Sequence, residues 1–115
     1  MNVVTLIGNL ATDVDLRKLE GDKQVASFLL AVDRPGRDEA DFIRIAVWDK
    51  QAEVCARYLV KGKRVGLDGR LKSRSWEDAD GNRRSAVEVV AHRVQFLSPP
   101  DNGAAAEVPF EGAAL

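Results

Sequence analysis

Three short β-branched or alternating runs, one capped amphipathic segment and two further long alternating runs follow one another in this chain. That order predicts an all-β fold: an OB-fold, a five-stranded Greek-key barrel with one helix between strands three and four. At 115 residues, 45% hydrophobic and 30% charged, the chain has the size and composition of one soluble domain with a single core. A six-stranded sandwich without a helix is disfavoured by the capped segment 49–62, and an open α+β sheet is the remaining alternative.

The first strand, Val3 to Leu10, is β-branched and apolar and too short for a helix. Gly8 inside it predicts a bulge or a close backbone approach. Leu16 to Leu19 reads as a bent continuation, followed by a turn at Glu20-Gly21-Asp22. The second strand is Gln24 to Val32, with Val25, Ser27, Leu29 and Ala31 opposite Ala26, Phe28, Leu30 and Val32. Asp33 to Asp41, with Pro35, Gly36 and many charges, is an exposed loop. The third strand runs from Phe42 to Trp48, its core stripe being Ile43, Ile45 and Val47.

A helix follows, with Asp49 as N-cap, Gly62 as left-handed C-cap residue and Lys61 at the negative end of the dipole. Its apolar stripe is Ala52, Cys55, Ala56, Leu59 and Val60. The fourth strand spans Lys63 to Trp76, where Gly66 and Gly69 predict bulges that let a long strand curl. A hairpin turn at Asp78-Ala79-Asp80-Gly81-Asn82 leads to the last strand, Arg84 to Leu97. Residues 1–98 are therefore one domain. Residues 99–115, rich in Pro, Asn, Gly, Ala and acid, read as a short flexible acidic tail.

Composition excludes several functions. No apolar run approaches the roughly 20 residues of a membrane helix, and the start of the chain lacks a signal-peptide charge pattern. A lone cysteine, Cys55, and a lone histidine, His92, exclude an internal disulfide and a zinc site and point to a reducing, cytoplasmic setting. Cys55 falls in the helical stripe and reads as core. The carboxylates at Asp38, Glu39 and Asp41, and at Asp78 and Asp80, lie in solvated turns where nothing tunes them for acid–base work. His92 has no serine or cysteine partner motif, and there is no phosphate-binding glycine loop. The chain is not expected to be an enzyme, and no cofactor or metal is expected.

Net charge is −1, but Asp101, Glu107 and Glu111 place three of the 18 acidic residues beyond position 98, leaving 15 against all 17 basic ones. From Lys61 to Arg84 eight cations face four acids. Screening cuts interactions beyond about 8–10 Å, so this local excess, rather than net charge, governs attraction for an anion.

The sharpest signal is R-L-K-S-R-S-W at 70–76. On a strand, Arg70, Lys72, Arg74 and Trp76 share one side, with Leu71, Ser73 and Ser75 on the other, of which Leu71 is the good core residue. The third strand likewise sets Phe42, Arg44 and Trp48 on one side. Cations interleaved with rings suit single-stranded nucleic acid, whose phosphates need the former and whose base faces stack on the latter. The stacking candidates are Phe42, Trp48 and Trp76; the phosphate-contacting candidates are Arg44, Lys50, Arg70, Lys72, Arg74 and Arg84. Phe28 and Phe96 read as core and Tyr58 as a partly buried packing residue.

The same residues make the chain resemble the bacterial single-stranded DNA-binding protein (SSB) family. The matches run in order through Val4-Thr5-Leu6-Ile7-Gly8-Asn9-Leu10, Phe42 to Trp48, Ala52-Glu53, Tyr58 to Gly62, Asp68-Gly69-Arg70-Leu71, Ser73 to Trp76 and Val87 to Val90. The resemblance implies an OB-fold, usually a homotetramer, that wraps and protects single-stranded DNA in replication, recombination and repair without chemistry, and carries the family's stacking role onto Phe42, Trp48 and Trp76. A further family tryptophan in the loop after the second strand is replaced by Arg34-Pro35-Gly36-Arg37. The family's tail tip, which engages replication and repair proteins, ends in Pro-Phe; here Pro109-Phe110 is followed by Glu111 to Leu115. A specialised paralogue fits these departures. An OB-fold assembly module resembling primosomal proteins, acting by protein contact at a replication fork, is the reading from another class, and RNA is the alternative ligand.

Overall fold

A computed structural model describes residues 1–98; the tail expected at 99–115 lies outside the described residues. The elements are β1 (Val4–Leu10), β2 (Asp15–Lys18), β3 (Gln24–Asp33), β4 (Ala40–Trp48), α1 (Asp49–Tyr58), β5 (Arg64–Glu77) and β6 (Arg83–Phe96), with a single 3-10 turn at Glu20–Asp22. The strands form one sheet in the order β1-β5-β6-β4-β3-β2, and a further β1–β3 pairing closes it into a barrel. All neighbours are antiparallel except β4 and β6, which run parallel through Ile45↔Val89, Ala46↔Val90 and Val47↔Ala91. The OB-fold follows from the sequence as expected, with its helix between the third and fourth long strands.

The bent first strand is broken in two. β1 pairs with β5 and meets β3 only at Asn9↔Ala31 and Leu10↔Leu30, whereas β2 pairs with β3 alone. Gly8 is the close approach its position predicts: a Cβ there would collide with the carbonyl of Ala31. Of the two mid-strand glycines in β5, only Gly69 sits at a bulge. The register steps from Asp68↔Arg93 to Gly69↔Ala91, so the extra residue is His92 on β6, and a Cβ on Gly69 would strike the Val90 backbone. Gly66 stays in register, opposite Gln95 and Ile7.

Alternation places the core where the pattern predicts. Ala26, Phe28 and Leu30 of β3, Ile45 and Val47 of β4, Val65 and Leu67 of β5, and Val89 and Ala91 of β6 are buried together with Leu10, Ala52, Cys55 and Leu59. Burial pushes the Cys55 thiol up to about 12, so it is a protonated packing group at neutral pH.

The helix is shorter than its sequence suggests. Asp49 is its first residue, with φ of 56°, and the capping position falls to Trp48, which offers no side-chain hydrogen bond. The helix ends at Tyr58 because Leu59 leaves it in extended conformation to bury its side chain in the core. Gly62, with φ of 97°, serves a later turn and donates its N–H to the Leu10 carbonyl at 2.9 Å, and Arg57 rather than Lys61 is the basic residue of the last helical turn. Val60, read as part of the stripe, is exposed for the same reason. Two other packing expectations need correction. Tyr58 is exposed, touching Phe96 ring to ring at 6.3 Å between centroids, and Leu71 is half-exposed. Leu71 lies where the β5–β6 hairpin outgrows the barrel, so its inward face has no core above it.

Candidate nucleic-acid interface

The face of the sheet turned away from the core carries the predicted residues. Ala31, Leu29, Ser27 and Val25 of β3 stand opposite Phe42, Arg44, Ala46 and Trp48 of β4. The parallel β4–β6 register then sets Ala46 beside Val90, and with it Arg44 beside Glu88. Across β6, Val90, Glu88, Ala86 and Arg84 pair with Arg70, Lys72, Arg74 and Trp76 of β5. Two motifs separated in sequence by a helix thus share one continuous surface. Period-two strands can do this because every residue named points the same way.

The rings differ in exposure. Phe42 is 64% exposed and Trp76 is 42% exposed, while Trp48 is half-buried and outside the core cluster. Trp48 forms the wall of a shallow groove of about 340 Å³, lined also by Lys23, Asp49, Arg70, Lys72 and Val90. Trp76 lies on the projecting hairpin at the far end of the face, where the Arg74 guanidinium carbon sits 5.0 Å from its ring centroid. At that distance the cation lies against the ring's electron-rich face.

The cations fall into three groups. Arg70 and Lys72 point into the groove and are exposed, with no ion pair among the described residues. Arg44 and Arg74 reach Glu88, at 3.4 and 4.0 Å from its Oε1. Arg84 is committed to the hairpin turn, its Nε 2.8 Å from Asp78 Oδ2. That guanidinium, and then the N–H groups of Asn82 and Asp80, which donate to Asp78 Oδ1 at 2.9 and 3.0 Å, hold the Asp78 carboxyl below the usual carboxylate range. Lys50 stands on the first turn of α1, exposed, and does not line the groove.

Two residues of this candidate site, Lys23 and Glu88, are not among the residues the sequence pattern picks out. Lys23 is a turn residue without periodicity, brought to Trp48 only by the fold. Glu88 is legible: the alternation that picks out Arg70 to Trp76, applied from Arg84, gives Arg84, Ala86, Glu88 and Val90. In the loop where the family places another tryptophan, Arg34 is braced by Glu39 and Asp41 at 2.9 and 2.8 Å. The described residues hold no cluster of histidine, cysteine or carboxylate able to bind a metal, and no helix long and apolar enough to cross a membrane.

A family model described as the single-strand binding protein family matches residues 1–97. The chain is 52% identical over 102 residues to Single-stranded DNA-binding protein 3 of Clostridium acetobutylicum, covering 84% of this chain and 71% of that one. It is 49% identical over 107 residues to Single-stranded DNA-binding protein 2 of Listeria monocytogenes, covering 89% and 67%. It is 48% identical over 108 residues to the single-stranded DNA-binding protein of Bacillus cereus, covering 90% and 64%. The chain spans about two thirds of the length of these relatives. On the family match and on identities near one half, the chain belongs to the single-strand binding protein family.

Proposed function

We propose that this chain binds single-stranded DNA without reading its sequence, protecting and wrapping the strand during replication, recombination and repair. The observation that carries this is the single sheet face on which Phe42, Trp48 and Trp76 alternate with Arg44, Arg70, Lys72 and Arg74. A base stacked on such a ring contributes roughly 1–3 kcal/mol, and every base has a π-face, so the surface is tolerant of sequence. Lys50 and Arg84 act at the margins, Lys50 from α1 and Arg84 only once it exchanges Asp78 for phosphate.

Residues 1–98 carry the binding; residues 99–115 are acidic, and their Pro109-Phe110 pair is followed by Glu111 to Leu115 rather than standing at the tip. The active form is a homotetramer, which places several weak surfaces on one strand and raises affinity through effective concentration. A tryptophan fluorescence titration with oligo-dT tests the reading. Strong, salt-sensitive quenching is expected. An unquenched signal would leave the fork-assembly module as the better account, and tighter binding of poly-U than of oligo-dT at equal length would make RNA the ligand.

A further inference from the structure

One residue of the binding face has the wrong sign for a phosphate surface. Over the stretch from Arg70 to Trp76 on β5, Arg84 to Val90 on β6 and Phe42 to Trp48 on β4, Glu88 is the one acidic side chain facing outward. It stands at the centre of that stretch. Its Oε1 lies 3.4 Å from Arg44 Nε and 4.0 Å from Arg74 Nε, and its cross-strand neighbour is Lys72. Its side chain is only 14% exposed, whereas those of Arg44 and Arg74 are 50% and 52% exposed. The carboxylate is therefore sunk between two arginines whose outer halves remain open to solvent.

A guanidinium recognises carboxylate and phosphate oxygens by the same charge-assisted geometry. We propose that Glu88 is an internal competitor for phosphate: it occupies the position between Arg44 and Arg74 that a strand's phosphate would take, lowering affinity for DNA and easing its release. The proposal rests on the DNA-binding function proposed for this face. The same ion pair reaches the stacking platform, because Arg74, drawn toward Glu88, lies 5.0 Å over the Trp76 ring and covers one face of it. A phosphate that takes Arg74 from Glu88 also uncovers that face for a base.

The test is a comparison of wild type with Glu88→Gln, an uncharged side chain of the same shape, in oligo-dT titrations over a series of salt concentrations. Removing one negative charge a few ångström from a bound phosphate should tighten binding roughly 3- to 30-fold at low salt, with the gain shrinking as salt screens it. Equal or weaker binding by Glu88→Gln at every salt overturns the proposal while leaving the DNA-binding reading intact. Failure of the wild type to bind oligo-dT overturns both. A second measurement needs no variant. In the wild-type protein, the side-chain Nε–H resonances of Arg44 and Arg74 should shift together as oligo-dT is added; resonances that stay fixed at saturation overturn the exchange.

Discussion

Gly8 of β1 lies against the carbonyl of Ala31 on β3, so closely that no side chain fits between them. This approach is where the barrel closes, one residue before the Asn9↔Ala31 pairing. Gly8→Ala must push two strands apart at their only junction, and should cost about 1–3 kcal/mol, as overpacking does. Thermal melting checks it, with a fall of about 4–8 °C per kcal/mol for a domain of this size. Gly66→Ala is the control. A Cβ there would make ordinary contacts with the Leu97 and Ile7 side chains and the Leu6 carbonyl, at 3.4, 3.5 and 3.9 Å.

Trp76→Ala should weaken oligo-dT binding by about 1–3 kcal/mol and leave the melting temperature nearly unchanged. The ring stands on a hairpin that extends beyond the core, so little of the barrel's packing depends on it. Trp48→Ala should lower both affinity and stability, since that ring is half-buried at the joint between β4 and α1. Paired titrations and melts of the two variants separate the roles. A Trp76→Ala protein that melts early but binds normally would invert the assignment of the strand's faces.

The cations should differ according to their present partners. Arg70 and Lys72 are already directed into the groove beside Trp48. Removing either should weaken binding to all sequences alike and reduce the log–log salt slope by about 0.7 for each phosphate no longer neutralised. Arg84→Ala should change that slope less and loosen the hairpin turn more, because Arg84 is held by Asp78. Titrations of the three variants across salt, beside amide exchange in the turn, distinguish the two behaviours.

The barrel was legible because its signals are local: period-two strands, a turn rich in Asp, Gly and Asn, and an amphipathic segment between strands. The shared face of the candidate site was legible for a related reason. Alternation fixes the face each residue takes, and closing the sheet then aligns Phe42, Arg44 and Trp48 with Arg70 to Trp76 through β6. What the pattern could not give was set by tertiary packing. Leu59 ends the helix early to reach the core, and the β5–β6 hairpin outgrows the barrel and leaves Leu71 uncovered. Lys23 comes to Trp48 because Val25, two residues further on, pairs with Trp48 across the sheet, and Arg84 satisfies Asp78 before any ligand arrives.

Acid should loosen the hairpin tip before it unfolds the barrel. The Asp78 carboxylate accepts from Arg84 and from the N–H groups of Asn82 and Asp80, and these bonds favour its charged form. With the folded value depressed, its contribution is present above the ordinary carboxylate range and is lost as pH falls through the lower folded value. Amide exchange at Asp80 and Asn82 should therefore quicken, relative to core amides, below about pH 4. In Asp78→Ala, which has no oxygen to accept those bonds, the same amides should exchange quickly at neutral pH and show no such step.

Assembly is expected from β1. One of its edges pairs with β5 from Val4 to Asn9, but the other meets β3 only at Asn9 and Leu10. The backbone from Val4 to Ile7 thus has an open edge among the described residues. Its outward side chains include Ile7, 52% exposed, next to Gly66, which presents no side chain of its own; Val3, just before the strand, is 69% exposed. An open, apolar edge is a liability in a soluble protein unless another copy pairs with it or packs over it. The proposed homotetramer would cover it, and charge introduced at Ile7 should then disrupt assembly without entering the core. Sedimentation equilibrium of wild type and Ile7→Glu decides the matter. The wild type should sediment as a multiple of 12.6 kDa and the variant at lower mass. A wild-type protein that remains a 12.6 kDa monomer at micromolar concentration would remove both the tetramer and the role given to this edge.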